Sequence, residues 1–304
     1  MLLDFPPKSE YNNLAFDASV AQSVVHLTRN EKVACSSQVT SSRKTATFYG
    51  KVAVFLNLAI DSVMEQRYTR YRGGSKMKHY ADRFHMTPEQ SLFLAKKKRD
   101  ENVYCGMRME NRNITFPQTK TILQGVNVPS VQLDDIQAVL NMRDAWRFLL
   151  ATMNEPLTFG YWCKLNEFIA RNEVLEWGKL RNGTVGISGT DDIPPVPVEE
   201  QVRAEFEAIL TADATATEKA LEAFTWGTRG QFFWDGNKRT SMTLANKILV
   251  SAGAGLMTIT DKHMEQFNTL LLHYYETGEK EELKDYLYTN AIQGIETPMK
   301  EAEA

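Results

Sequence analysis

The stretch "QFFWDGNKRTS", Gln231 to Ser241, sets an apolar anchor before an acid, a Gly-Asn pair, two cations and two hydroxyls. It lies between two apolar segments of helical spacing, "EKALEAFTWGT" (218–228) and "SMTLANKILVSAGAGLMTI" (241–259). In the second, Met242, Leu244, Ala245, Ile248 and Leu249 mark a buried face, so the spacing predicts a helix that begins near Lys238 or Arg239. The polar turn then falls at a helix N-terminus, where unpaired backbone N–H groups and the positive end of the helix dipole favour an anion such as phosphate. Gly236 permits close backbone approach. Lys238 and Arg239 add positive charge, Arg239 as a planar fork that matches phosphate oxygens. Asp235 suits a magnesium ion that bridges phosphates, because that ion takes few carboxylates and keeps substrate oxygens. Residue types alone leave a second reading open, a D-G-N turn that simply caps a helix.

Outward from the turn, helical periodicity dominates. "LDDIQAVLNMRDAWRFLLATM" (133–153), "TFGYWCKLNEFIARNEV" (158–174), "DKHMEQFNTLLLHYYETG" (261–278) and "KEELKDYLYTNAI" (280–292) all carry the i, i+3, i+4 spacing of amphipathic helices. "PVEEQVRAEFEAILTA" opens on Pro197 and two acids, a helix start. Strand-like alternation is clear only in "GTVGIS" (183–188), where Val185 and Ile187 flank Gly186. A helical protein with one small hairpin is the expected class.

The chain has 304 residues, 43% of them apolar and 24% charged, an ordinary globular composition. Cys35, Cys105 and Cys163 lie far apart with no C-x-x-C pair, which signals neither a disulfide framework nor a zinc site and fits a reducing cytoplasm. No run of about 18 apolar residues occurs, so no membrane partner is expected. Residues 1–100 hold 16 Lys/Arg against 9 Asp/Glu, and the remainder 19 against 29. Much of the basic excess lies in "RYTRYRGGSKMKHYADRF" (67–84) and "AKKKRD" (95–100). No nucleic-acid motif accompanies this charge, so a solvated helical face is the expectation and nucleic acid is not. Residues 1–60 have weak periodicity and resemble a spurious translation of a transfer-RNA gene, which would put the functional start near Met64. The expected divisions are an N-terminal segment (1–60), a helical region (61–128), a core domain (129–295) and an acidic tail (296–304).

Positions 231–239 are similar to the signature of the Fic/Doc family, H-x-F-x-[DE]-G-N-[GK]-R, and eight of its nine positions, wildcards included, are compatible. "GKLRNGTVGISGTDDIPPVP" (178–197) resembles that family's flap, and "ENRNITFPQTKTILQG" (110–125) its inhibitory region. The resemblance spans roughly residues 100–295. It implies an all-α, mainly helical Fic fold with a small β-hairpin flap at Val185, Gly186 and Ile187 that pairs with an extended target segment by strand addition. It implies ATP with its phosphates on the turn, Mg2+ on Asp235, an anion cradle of Gly236, Asn237 and Lys238, and Arg239 on the outer phosphates. The implied reaction is AMP transfer to a hydroxyl side chain of a protein substrate. Self-modification and a homodimer are further partner expectations.

Three departures qualify the resemblance. Gln231 stands where the family has its catalytic histidine, and a neutral amide cannot accept the proton of an attacking hydroxyl. Losing a positioned base costs about 10² to 10⁴ in rate. His26, His79, His85, His263 and His273 are distant along the chain and read as surface or satisfied core residues. Lys238 occupies the place of a glycine in many AMP-transferring members, and Met242 that of their second arginine. The G-N-K-R-T run resembles the Doc branch, so protein kinase activity is one alternative and a catalytically inactive nucleotide-binding or interaction module is another. In the inhibitory pattern [ST]-x-x-x-E-[GN], Glu110 and Asn111 are in place but Gly106 lacks the hydroxyl. With Met242 in place of the arginine, Glu110 has to meet another cation, with Arg239 a candidate. Without the family, Glu110 reads as an exposed helix-terminal acid of the kind helix dipoles favour near N-termini.

Overall fold

The computed structural model describes residues 79–296. The expectations for residues 1–60, for Met64 and for most of the basic stretch from Arg67 lie outside these residues, as does most of the acidic tail. The described residues form helices α1 (Pro88–Met109), α2 (Phe116–Leu123), α3 (Leu133–Ala151), α4 (Phe159–Ile169), α5 (Glu199–Thr211), α6 (Ala216–Gly230), α7 (Asn237–Ala252), α8 (Asp261–Thr277) and α9 (Glu281–Asn290). Strands β1 (Leu256–Met257) and β2 (Ile292–Gln293) pair antiparallel, Leu256 opposite Gln293 and Met257 opposite Ile292.

Local chemistry sets the helix starts. Thr87, Thr115 and Thr215 each form a capping box with Gln90, Gln118 and Glu218, and Pro88 and Pro117 stand in the first turns of α1 and α2. The expected helices on 133–153, 158–174, 197–212, 261–278 and 280–292 correspond to α3, α4, α5, α8 and α9.

Helix α7 is the axis on which the core is built. Leu94, Val103 and Met107 of α1 pack with Val139, Met142 and Trp146 of α3 and reach Val250 of α7. On another side, Leu221 and Phe224 of α6, Phe267 and Tyr274 of α8 and Leu287 of α9 surround Met242, Ala245 and Leu249. A third, aromatic cluster of Trp162, Phe206, Trp226, Phe232 and Phe233 closes on Leu244. The sequence marks one apolar face on α7, whereas the helix is buried nearly all round. Its inward polar groups are therefore paired internally. Asn246 Nδ2 donates to Met257 O and its Oδ1 accepts from Met257 N. Lys247 Nζ donates to the carbonyls of Thr152, Met153 and Glu155 at the end of α3. A helix held on all sides presents its N-terminus at a fixed place.

The strands differ in place from the expected hairpin. Val185 to Ile187 have no strand pairing, and residues 191–198 run without regular structure up to α5. The burial pattern of 185–187 still alternates, ending on Ile187 packed in the α7 and α8 cluster. Strand geometry needs a neighbouring strand to take up backbone hydrogen bonds, and here a side chain, Arg181, holds the carbonyls on either side of the segment instead.

Candidate functional site

Helices α6 and α7 meet closely because Gly227 leaves room for Ser241; a Cβ there would lie 2.3 Å from Ser241 Oγ. The turn between them begins with Gln231, a non-glycine residue in the left-handed region (φ 45°). Phe232 and Phe233 then drop into the aromatic core, with the Phe233 ring 4.6 Å from that of Trp162. Burial of such a ring contributes about 3 kcal/mol, which anchors the turn. Gly236 follows at φ 73°, where a Cβ would meet Ile169 Cγ2 at 2.9 Å. It is the N-cap of α7, and no side chain caps the helix. The first-turn N–H groups of Asn237, Lys238 and Arg239 therefore lack a side-chain cap, as an anion site requires.

Within the turn, Asn237 is a brace. Its Oδ1 accepts from Phe233 N at 2.9 Å, and its Nδ2 donates to Phe233 O and to Gln231 Oε1. Gln231 Nε2 in turn donates to Thr228 O at 2.6 Å. Both ends of the Gln231 amide are thus engaged. Asp235 accepts from Gly236 N through Oδ1 and keeps a side chain 44% exposed beside the cradle. From below, the fully buried Asn166 of α4 donates to Asp235 O and Thr240 Oγ1.

The two cations have different surroundings. Arg239 is 1% exposed, and its Nη1 and Nη2 meet the two oxygens of Glu173 at 2.9 and 3.1 Å. Glu173, itself 6% exposed, is also held by Arg112 and by Asn141 Nδ2. Arg239 Nε has no hydrogen-bond partner and faces Glu110 Oε1 at 3.5 Å. Lys238, 24% exposed, donates to Met109 O at 2.7 Å and pairs with Glu110 Oε2 at 3.1 Å. Burial disfavours the charge on Arg239, but Glu110 and Glu173 outweigh it and raise its pKa.

Glu110 is the C-cap of α1, and Asn111 follows in the left-handed region at φ 54°. The expectation of an acid favoured by a helix N-terminus is thus reversed: Glu110 sits at the negative end of the dipole, where a carboxylate is disfavoured unless cations compensate. Burial pushes its carboxyl up, and the charges of Lys238, Arg239 and Arg112 outweigh that and hold it below the usual carboxylate range. The cations that Glu110 meets are Lys238 and Arg239, while Met242 lies in the core. Gly106 lies against Met142; a Cβ there would lie 3.0 Å from Met142 Cε, so close packing occupies the position of the missing hydroxyl.

Sequence reasoning missed Glu173, Asn166 and Arg181. Arg181 is 1% exposed and satisfied wholly by carbonyls. Its guanidinium donates to Gln231 O, Gly183 O, Pro194 O and Pro195 O, and its backbone N donates to Phe232 O. Beside it the Trp234 ring covers Gly183. Gly183, Pro194 and Pro195, which flank Val185, Gly186 and Ile187, are thereby tied to the turn 231–239. None of the described histidines takes the place of the missing base: His79 pairs with Glu218, His263 with Tyr286 and His273 with Glu279, and His85 is exposed. His26 lies outside the described residues. Cys105 and Cys163 are free.

No family model matches the chain. It is 24% identical over 177 residues to a protein adenylyltransferase Fic of Culex quinquefasciatus, covering 55% of this chain and 35% of the relative, so it spans about a third of that protein's length. Among solved structures, it matches Fic-1 (residues 134–508) of C. elegans with a TM-score of 0.54 and 20% identity over 82% of this chain and 74% of that one. A Fic family protein of Desulfovibrio desulfuricans G20 matches with a TM-score of 0.54 and 15% identity over 83% and 74%. No described helix is long and apolar enough to cross a membrane. The chain has the mainly helical Fic fold of these solved structures, and part of its sequence is similar to a protein adenylyltransferase Fic.

Proposed function

We propose that the chain binds ATP on the turn 235–239 and transfers AMP to a hydroxyl side chain of a target protein, at a rate limited by Gln231. The observation that carries this reading is the uncapped N-terminus of α7, flanked by Lys238 and a buried Arg239 and faced by the Glu110 carboxylate. A carboxylate held by cations at a helix N-terminus occupies the kind of place a phosphate takes. The backbone N–H groups of Asn237 to Arg239 and the Lys238 ammonium would hold phosphate oxygens. Asn237 acts as the brace that keeps those groups in place. Asp235 fits magnesium, since a single half-exposed carboxylate beside phosphates is the usual protein share of such a site, and that ion would neutralise phosphate charge.

In the transfer, the target oxygen forms a bond to the α-phosphorus as the bond to the pyrophosphate breaks. The hydroxyl proton leaves to water, because the Gln231 amide is hydrogen-bonded at both ends and has no basic atom to offer. The segment around Val185 to Ile187, fastened by Arg181, would place the target chain beside the turn. Self-modification is the simplest case of such a substrate.

The state of Gln231 also supports a second reading, a nucleotide-binding module that performs no efficient transfer. Kinase-type transfer rests on the likeness of the G-N-K-R-T run, Gly236 to Thr240, to the Doc branch. Incubation with ATP labelled at the α or the γ phosphate separates the three, using the wild type, Gln231→His and Glu110→Gly. Transfer of α label supports AMP transfer, and γ label alone supports phosphorylation. ATP binding without transfer in any variant, the double variant included, supports the binder. Absence of ATP binding throughout would sink all three.

A further inference from the structure

Gln231 is the C-cap of α6 and lies in the left-handed region, φ 45° and ψ 51°, where a helix commonly ends on glycine and a Cβ is strained. Such a conformation persists where its surroundings fix it from several sides. Three hydrogen bonds do so here. Arg181 Nε donates to Gln231 O, Gln231 Nε2 donates to Thr228 O, and Gln231 Oε1 accepts from Asn237 Nδ2. Thr228 O belongs to the last turn of α6, whose carbonyls have no partner within the helix, and Asn237 is the first residue of α7. The Gln231 amide therefore joins the end of one helix to the start of the next. Its reach extends further through Asn237. Asn237 Oδ1 accepts from Phe233 N, and of the two hydrogens on Nδ2 one goes to Phe233 O and the other to Gln231 Oε1. With both hydrogens in use, the Asn237 amide is fixed against the buried anchor of the turn.

The two partners make opposite demands, since Thr228 O needs a donor and Asn237 Nδ2 needs an acceptor. A neutral amide supplies both. An ionised glutamate has only acceptors and sets one against Thr228 O, and a methionine supplies neither bond. A neutral histidine meets both partners only by committing to Asn237 the unprotonated nitrogen that a base requires. We propose that Gln231 is a positioning residue for anion binding: its amide is a strut between α6 and α7 that holds Asn237, and with it the first N–H groups of α7, in the form that receives phosphate. At this position the task of taking a proton is replaced by that of keeping the cradle set. The inference rests on the proposed binding of ATP at the turn and adds to it the residue that acts on that binding through Asn237.

The test uses the full chain as wild type, Gln231→Met and Gln231→Glu. Two quantities are measured against wild type under the same conditions: calorimetric affinity for ATP with magnesium, and hydrogen exchange of the Phe233 amide in the free protein. At about pH 7.5 both variants are expected to bind ATP about tenfold more weakly, the loss of a well-made hydrogen bond, and to exchange Phe233 faster. At about pH 4.5 a carboxyl that faces a carbonyl is protonated, and it then carries one donor and one acceptor as the amide does. Gln231→Glu is therefore expected to regain most of the lost affinity and protection at the lower pH, whereas Gln231→Met regains neither. The other titratable and charged groups on the elements that meet here are Arg181, Arg229 and Tyr275 beside the end of α6, and Asp235, Lys238, Arg239 and Glu110 at the start of α7. All of them are common to the three forms, so the ratio to wild type isolates residue 231.

Wild-type affinity and wild-type Phe233 protection in Gln231→Met would overturn the strut. A Gln231→Glu variant that stays as weak relative to wild type at low pH as at neutral pH would overturn the donor and acceptor roles given to the amide. Faster exchange spread evenly through α3 and α7 would mean general loosening and would overturn a local strut. If all three forms bind ATP alike, the nucleotide reading survives and the role of Gln231 does not. If none binds ATP, the nucleotide reading fails and takes the role in binding with it, whatever Phe233 shows.

Discussion

Two neighbouring parts of the molecule, the turn 231–239 and the segment 181–195, are each fastened by one buried arginine, and the fastenings differ in kind. Arg239 is neutralised by carboxylates, Glu173 on one side and Glu110 on the other. Arg181 meets only carbonyl oxygens, including Gln231 O at the first residue of the turn. A charge balanced by carboxylates makes a rigid seat for α7, whereas a charge shared among loop carbonyls holds a strandless segment to that seat. The first is an attachment between helices; the second is an attachment between the turn and the segment proposed to receive a target.

The largest effect should come from breaking the carboxylate-balanced side. Arg239→Met leaves Glu173 buried with only Arg112 as a charged partner, and removal of one member of a buried pair costs about 3–5 kcal/mol. Urea unfolding should show this as a lower midpoint with an unchanged slope. A loss under about 1 kcal/mol would mean that Glu173 re-pairs and that Arg239 is not the brace described. Next comes Arg181→Met, which strips several charge-assisted hydrogen bonds, each worth about 1.5–3 kcal/mol, from carbonyls that water can partly re-satisfy. The expected net loss is about 2–3 kcal/mol, with faster hydrogen exchange confined to 183–195. Equal acceleration through α7 would dissolve the distinction between the two fastenings.

Gly236→Ala should be smaller. It places a side chain at φ 73° and a Cβ 2.9 Å from Ile169 Cγ2. The left-handed conformation alone costs a non-glycine residue about 1–2 kcal/mol, and thermal unfolding measures it. No loss of stability would show that the turn can relax and that its backbone is not the fixed cradle proposed.

How far the sequence revealed these parts follows from the range of the forces involved. Helices α3 to α9 were legible because apolar spacing is a local signal, and the start of α7 fell within a residue or two of its place at Asn237. The turn was legible because glycine, asparagine and paired cations at a helix start are chemically specific. Glu173 was not, since it lies 66 residues from Arg239 in a loop and leaves no periodic mark. Arg181 was hidden for the same reason, 50 residues from the carbonyl it holds. The hairpin expectation followed the true alternation of Val185 and Ile187, but alternation reports which side chains turn inward and not whether a partner strand is present. The end of the helix that carries Glu110 was misread because a lone acid marks a terminus without saying which one. Its placement at the C-terminus of α1 makes its cations more telling, since the dipole there works against a carboxylate.

The smallest effect concerns this acid and is read as a slope with pH. The Glu110 carboxyl is lowered from its ordinary 4.5 in the folded protein, net of the burial that raises it. A depressed carboxylate contributes stability that is fully present above the unfolded value and is lost as pH falls through the folded value. The wild type should therefore lose stability below about pH 4.5 more steeply than Glu110→Gln. The free-energy difference between the two should be constant from pH 5 to 7 and should change by about 1 kcal/mol as the pH falls toward 3, the scale of a partly exposed ion pair. Because the comparison is of slopes, it does not depend on whether glutamine is better or worse tolerated at the end of a helix. Lys238→Met should remove part of the same slope, since Lys238 is the first cation holding the carboxyl down, while Met242→Leu should leave it intact. Equal acid slopes in the wild type and Glu110→Gln would mean that the carboxylate gains nothing from Lys238 and Arg239, and the carboxylate-balanced side of the comparison would lose part of its electrostatic basis.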